Sequence, residues 1–231
     1  MKARFFLLNL VLIATTSLSA QESETTFTVP KQIPQETQQL DLACKLVSYG
    51  RQTKTALPLI QAVQIFKQLN VVENKENENQ TTSPFSEVQL LADAVKFADG
   101  NKNLLALIKE TEKTSRGAGW QTGPVKYCSS IEADGTYQLN YWFTGGQVAQ
   151  IVLDGQGEGI SSYDSKGNRL RSDLRLTVYD QKGNVVATDQ TRGENCCVSF
   201  IPPSSSQLTI EIKNVGTRGD DYVLFIYNNN R

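Results

Sequence analysis

Apolar residues recur at every third or fourth position up to about Thr114, and at every second position after Pro124. That switch of period restricts the chain to an α+β fold, with helices first and an antiparallel sheet structure second. Leu40, Ala43, Cys44 and Val47 mark a first helix, with Gly50 expected as its stop. A second helix is expected from Ala56 to Leu69, with Leu59, Ile60, Val63 and Phe66 on one stripe. Pro58 fits such a helix only in its first turn, so it fixes the start. NVVENKENENQTTSP reads as a loop. Ser86 and Gln89 then form a capping box for a third helix carrying Val88, Leu91, Val95 and Phe97, closed by Gly100. Asn101 or Asn103 caps a fourth, whose core is LLALI.

Beyond Pro124 the runs alternate. Tyr137, Leu139, Tyr141 and Phe143 share one face, as do Leu174, Leu176 and Val178, and again Leu208, Ile210 and Ile212. Turn residues separate the runs at intervals of about ten, so about eight strands fit between Val125 and Asn228 as a β-sandwich. Two runs break the rule. GQVAQIVLD and DDYVLFIYN are apolar on both faces, which requires cover on both. The opposite sheet supplies one cover and the helices the other, with Trp142 expected in the same contact. The helical region should therefore dock on the sandwich. Protease should cut first within Asn74–Thr82, and not at Ser115–Thr122.

The expected organisation is a signal peptide at 1–20, a flexible lead-in at 21–36, a helical region at 37–115 and a β-sandwich at 125–229. Lys2 and Arg4 precede an apolar run from Phe5 to Ala14, and small and polar residues follow, with a cut after Ser19 or Ala20. This layout points to a periplasmic or secreted protein with no membrane insertion after signal cleavage.

Composition narrows the chemistry. The formal net charge is −1, which gives no basic footprint for nucleic acid or anionic membrane. There is no histidine, hence no ordinary general base near neutral pH. There is no G-x-S-x-G elbow and no Gly-rich loop between a strand and a helix. The acidic residues cluster at turn positions, so no catalytic residue and no cofactor is expected.

Four cysteines remain, Cys44, Cys128, Cys196 and Cys197. In an exported chain they read as two disulfides, and without C-x-x-C or histidine a zinc site is disfavoured. Neighbours in a strand point to opposite faces, so Cys196 and Cys197 should not pair with each other. They are expected to reach separately to Cys44 and Cys128, in an order left open, with one bond tying helices to sandwich.

YDSKGNRLRSD, from Tyr163, is answered sixteen residues later by YDQKGNVVATD, from Tyr179. The pattern suits either a calcium loop or a tight turn. Lys166 and Lys182 would repel a cation, and Asp173 and Asp189 lie five residues past the Asn, roughly 16 Å along a strand. Asp, Gly and Asn are the residues a β-connection needs, so both copies are expected to be turns, closed by Asp164 and Asp180.

Read in order, SDLRLTVYDQKGNVVATD, CCVSFIPP and QLTIEIKNVGTRGDDYVLFIYNN resemble the bacterial pre-peptidase C-terminal domain family, over roughly residues 136–229. The resemblance implies a jelly-roll-like β-sandwich used as an accessory module of secreted hydrolases, with polymer or calcium binding in some relatives. Here only a small helical region precedes it. Arg175 stands where the family tends to write an acid, which argues against an inherited calcium site. The function expected is thus non-catalytic binding of an envelope protein or polysaccharide, with Trp142 as a candidate aromatic platform. A structural or assembly partner in the periplasm and an unfamiliar hydrolase are the alternatives.

Overall fold

The computed structural model describes residues 26–32, 35–74, 85–114, 123–155, 162–163 and 165–228. The expected signal peptide, Asp164 and the expected boundary at Ser115–Thr122 lie outside the described residues, as does most of Asn74–Thr82. Helices α1 (Gln35–Thr53), α2 (Ala56–Gln68), α3 (Glu87–Phe97) and α4 (Lys102–Lys113) form one layer. A two-residue strand β1 (Val72–Glu73) falls between α2 and α3. Ten further strands follow: β2 (Val125–Ile131), β3 (Thr136–Phe143), β4 (Ala149–Gly155), β5 (Ser162–Tyr163), β6 (Arg169–Leu170), β7 (Leu174–Tyr179), β8 (Val185–Asp189), β9 (Asn195–Phe200), β10 (Ser206–Asn214) and β11 (Asp220–Asn228).

Eight of these build two antiparallel four-stranded sheets, ordered β2-β11-β4-β9 and β3-β10-β7-β8. They pack face to face on Phe143, Ile151, Leu153, Leu176, Ile210 and Leu224, which are fully buried. The fold is therefore α+β with a β-sandwich, as the change of period requires. The first sheet gains a fifth member, because Val72 of β1 pairs in parallel with Val125 of β2. The Asn- and Glu-rich composition around Val72 predicts a loop throughout, and it hides this two-residue strand.

β4 and β11 are the two strands covered on both sides. Their inner residues enter the sandwich core. Val152, Val223 and Phe225, on the outer face, belong instead to the helical core with Leu40, Leu59 and Phe85. The Phe225 ring stacks on Phe66 at 5.4 Å and meets Phe85 edge-on at 6.1 Å. Lys126 of β2 donates from Nζ to the Phe85 carbonyl at 3.1 Å. Among the described residues, the helical core draws its sheet residues from β2, β4 and β11 of the first sheet.

Several local expectations need correction. α1 runs through Gly50 to Thr53 and stops only where Lys54 takes a positive φ of 52°. Thr55 N–H then bonds the Gly50 carbonyl and Lys54 N–H the Arg51 carbonyl, a Schellman ending with lysine in the glycine position. Gly50 is needed for a different reason: a Cβ there would lie 2.8 Å from Leu59 Cδ2, so α1 and α2 cross at this point. On α3 the apolar stripe is rotated from the expected one. Val88 and Val95 are exposed, and Leu90, Leu91 and Ala94 face the core. Ser86 does cap that helix, accepting from Gln89 N–H at 3.1 Å, and Asn101 caps α4. Trp142 is absent from the helical contact: it stands on the second sheet, 59% exposed.

Candidate functional site

The outer face of the first sheet is occupied by helices; on the outer face of the second, among the described residues, Gln138, Asn140 and Trp142 of β3 are exposed. Alternation along β3 turns Leu139 and Tyr141 toward the core and Gln138, Asn140 and Trp142 outward. Register sets Trp142 opposite Gln207, Asn140 opposite Thr209 and Gln138 opposite Glu211 on β10. Tyr179 of β7 continues the Asn140–Thr209 row, and Thr177 continues the Gln138–Glu211 row.

These side chains are joined across strands. Gln138 Nε2 donates to Glu211 Oε2 at 2.7 Å, and the Tyr179 hydroxyl donates to Glu211 Oε1 at 3.2 Å. Thr209 Oγ1 donates to Asn140 Oδ1 at 2.8 Å, and the hydroxyls of Thr177 and Thr188 lie 3.1 Å apart. Desolvation and then the Glu211 carboxylate push the Tyr179 phenol upward, so it stays a neutral donor. Asn228 of β11 steadies the end of β3: its Nδ2 donates to the Trp142 carbonyl at 3.1 Å and its Oδ1 accepts Thr144 N–H. The result is a polar lattice with an exposed indole at one end, pre-ordered at little entropic cost to a ligand. Trp142 is legible in the sequence as a candidate. The ladder of Gln138, Asn140, Tyr179, Thr209 and Glu211 shows there only as alternation, because its cross-strand bonds depend on register.

The second YD-x-KGN copy is a turn. Asp180 Oδ1 accepts Lys182 N–H and Asn184 N–H at 2.8 Å each, and Oδ2 accepts Asn184 Nδ2 at 2.9 Å. The Asn184 amide bond, first, and the two backbone bonds hold the Asp180 carboxyl below its usual range. Gly183 takes a φ of 82°, and Gly167 in the first copy takes 80°.

The outer acids also have local duties. Asp173 accepts Gly193 N–H and the Arg175 guanidinium, which donates in turn to the Gln190 carbonyl. Asp189 accepts Thr191 N–H and hydroxyl, and its Oδ2 accepts Cys197 N–H at 2.9 Å, joining β8 to the edge of the other sheet. Burial works against the Asp189 carboxylate, but those donated bonds outweigh it and the carboxyl titrates below the ordinary 3.8. A carboxyl depressed in the folded state stabilises the fold above its unfolded pKa, and that contribution is lost as pH falls through the folded value. Asp189→Asn should therefore lose less stability than the natural chain between about pH 5 and pH 2. Urea titrations at both ends check this, and equal losses would refute it.

Among the described residues, no group of three or more Cys, Asp or Glu is disposed to hold a metal ion. All four cysteines are thiols. Cys196 points into the sandwich, where its Sγ lies 3.2 Å from the Leu174 carbonyl, while Cys44, Cys128 and Cys197 lie on the helical side of the first sheet. The expected second bond, between Cys196 and either Cys44 or Cys128, would have to pass through that sheet.

No protein-family model and no curated protein matches the chain. Three solved structures each match less than half of it. The pre-peptidase C-terminal domain of a Bacillus anthracis collagenase covers 45% of this chain and 89% of its own, at 13% identity and a TM-score of 0.34. A periplasmic inhibitor of g-type lysozyme from Aeromonas hydrophila covers 45% and 83%, at 10% identity and 0.31. A carbohydrate-binding module of Cellvibrio mixtus lichenase 5A, in complex with cellotriose, covers 48% and 90%, at 13% and 0.23. This degree of likeness assigns no ligand. No described helix is long and apolar enough to cross a membrane.

Proposed function

We propose that this chain is an exported, non-catalytic binding protein that takes an extended polysaccharide on the outer face of its second sheet. The observation that carries the reading is the asymmetry of cover: helices occupy one outer face, and the other presents Trp142 beside an ordered lattice of amides and hydroxyls. Sugar rings stack on an indole through their C–H faces, and their hydroxyls pair with amides and carboxylates already fixed in position. The resemblance to the pre-peptidase C-terminal family supports an accessory role of this kind. Asp173, Asp180, Asp189 and Glu211 are engaged in turns and cross-strand bonds.

Retention on insoluble polysaccharides and on peptidoglycan tests the proposal. The natural chain should be retained, and Trp142→Ala should bind about tenfold more weakly or worse, with little change in Tm because the indole is exposed. Equal retention of the variant would remove that face from consideration. A second reading is favoured by Leu42, Tyr49, Val88 and Val95, which are exposed on α1 and α3. These helices are joined by the Arg51–Asp93 ion pair at 3.0 Å, so their outer faces suit a periplasmic protein partner. Capture of one stoichiometric envelope protein, with no polymer retention, would favour that reading.

A further inference from the structure

Two of the four thiols face one cleft. α1 lies against β4, and between them and β9 is a cavity of about 170 Å³ whose lining includes Cys44, Cys197, Asp41, Lys45 and Val152, and also Cys196, whose sulfur is turned away toward the Leu174 carbonyl. Cys44 enters it from the buried stripe of α1. Cys197 enters it from the outer face of β9, directly beside Val152 in the register of the sheet. Gln150 Nε2 donates to Cys197 Sγ at 3.2 Å and holds the sulfur on that side.

The other two thiols are excluded by position. Cys196 faces the opposite side of the sheet. Cys128 stands on β2, with β11 and β4 between it and β9. Three strand spacings of about 4.8 Å place it roughly 14 Å from Cys197, about twice the Cα separation a disulfide spans.

We propose that Cys44 and Cys197 form a dithiol–disulfide couple, a covalent staple between the helical layer and the β-sandwich. Cys197 is the exposed partner and meets the oxidant. Its thiolate attacks one sulfur of a small-molecule disulfide, forming a mixed disulfide and expelling one thiolate. Cys44 gives up its proton to solvent and attacks the Cys197 sulfur, closing the internal bond and expelling the second thiolate. Two protein thiols are oxidised and one external disulfide is reduced to two thiols.

The surroundings make this step slow at neutral pH. Burial pushes the Cys44 thiol well up, and Asp154, Asp41 and a charged Cys197 add to it. Burial also raises Cys197; the Gln150 bond and Lys45 lower it, and Asp41 and Asp189 raise it. Closure should thus accelerate as pH rises, because more of each thiol is then thiolate.

The intact protein is incubated with oxidised glutathione at about pH 8.5 and digested without reduction. The expected product is a Cys44–Cys197 linked peptide, preceded by a glutathione adduct at Cys197. The bond closes a loop of about 150 residues and should raise Tm by roughly 10 °C. Cys128→Ser should behave as the natural chain, and Cys197→Ser should lose both the link and the Tm rise. A map that leaves Cys44 unlinked or joins it to Cys128 overturns the proposal, as does a Tm that oxidation leaves unmoved. The natural chain's map decides the matter even if a variant fails to fold.

Discussion

Phe225→Ala is expected to destabilise the protein by about 4 kcal/mol, the cost of emptying a fully buried aromatic site that neighbours fill only in part. The ring is 0% exposed and is held between Phe66 of α2 and Phe85, just ahead of α3. The same strand offers a control in Leu224, which is equally buried but faces the sandwich core. Leu224→Ala should cost about 3 kcal/mol and loosen both sheets. Phe225→Ala should instead raise amide hydrogen exchange in α2 and α3 well before β10 or β7 is affected. Urea melts give the totals and exchange gives the distribution. If the two substitutions raised exchange in the same elements equally, the helical layer and the sandwich would share one core, contrary to their two separate clusters.

That contrast is legible in the amino-acid pattern itself, because DDYVLFIYN alternates between two apolar sets and neither could face water. The same reasoning cannot say which helical residues meet Phe225. A helical stripe read from one sequence has a phase error of one position whenever two spacings fit equally well. On α3, Val88, Leu91 and Val95 fit the period as well as Leu90, Leu91 and Ala94 do, and only packing on α2 chooses between them. Val72 pairs with Val125 across more than fifty residues of sequence, which no local pattern encodes.

The candidate site divides in the same way. Trp142 can be recognised as an outward aromatic, but the expectation that it meets the helices fails because β3 joins the second sheet, and the helical core draws on the first. Strand order is a long-range property. The glycine of KGN declares its turn directly, since positive φ is a local demand. The cysteines need both kinds of information: alternation separates Cys196 from Cys197, whereas sheet order separates Cys128 from β9.

Asn214→Leu should cost about 3 kcal/mol, with no gain to offset it from the added apolar surface. Asn214 is 0% exposed at the end of β10, and every hydrogen-bonding direction of its amide is used. Oδ1 accepts Asp173 N–H at 3.1 Å and Gly216 N–H at 2.9 Å. Nδ2 donates to the Glu132 carbonyl at 3.2 Å and the Arg218 carbonyl at 2.7 Å. One side chain thus joins the β2–β3 turn, the start of β7 and the β10–β11 connection, so its loss leaves backbone groups from three segments to find new partners. Gly216 cannot adapt by gaining a side chain, because its Cβ would collide with the Arg171 carbonyl. Asn214→Asp separates the two halves of the argument. It keeps the acceptor for both N–H groups but turns a carboxylate toward two carbonyl oxygens, so it should be at least as damaging near neutral pH and partly recover below about pH 4, where the acid is protonated. A Tm series against pH for both variants checks this. A loss under about 1 kcal/mol for Asn214→Leu would mean that water replaces the amide, and the three connections would then be held by their own backbone bonds.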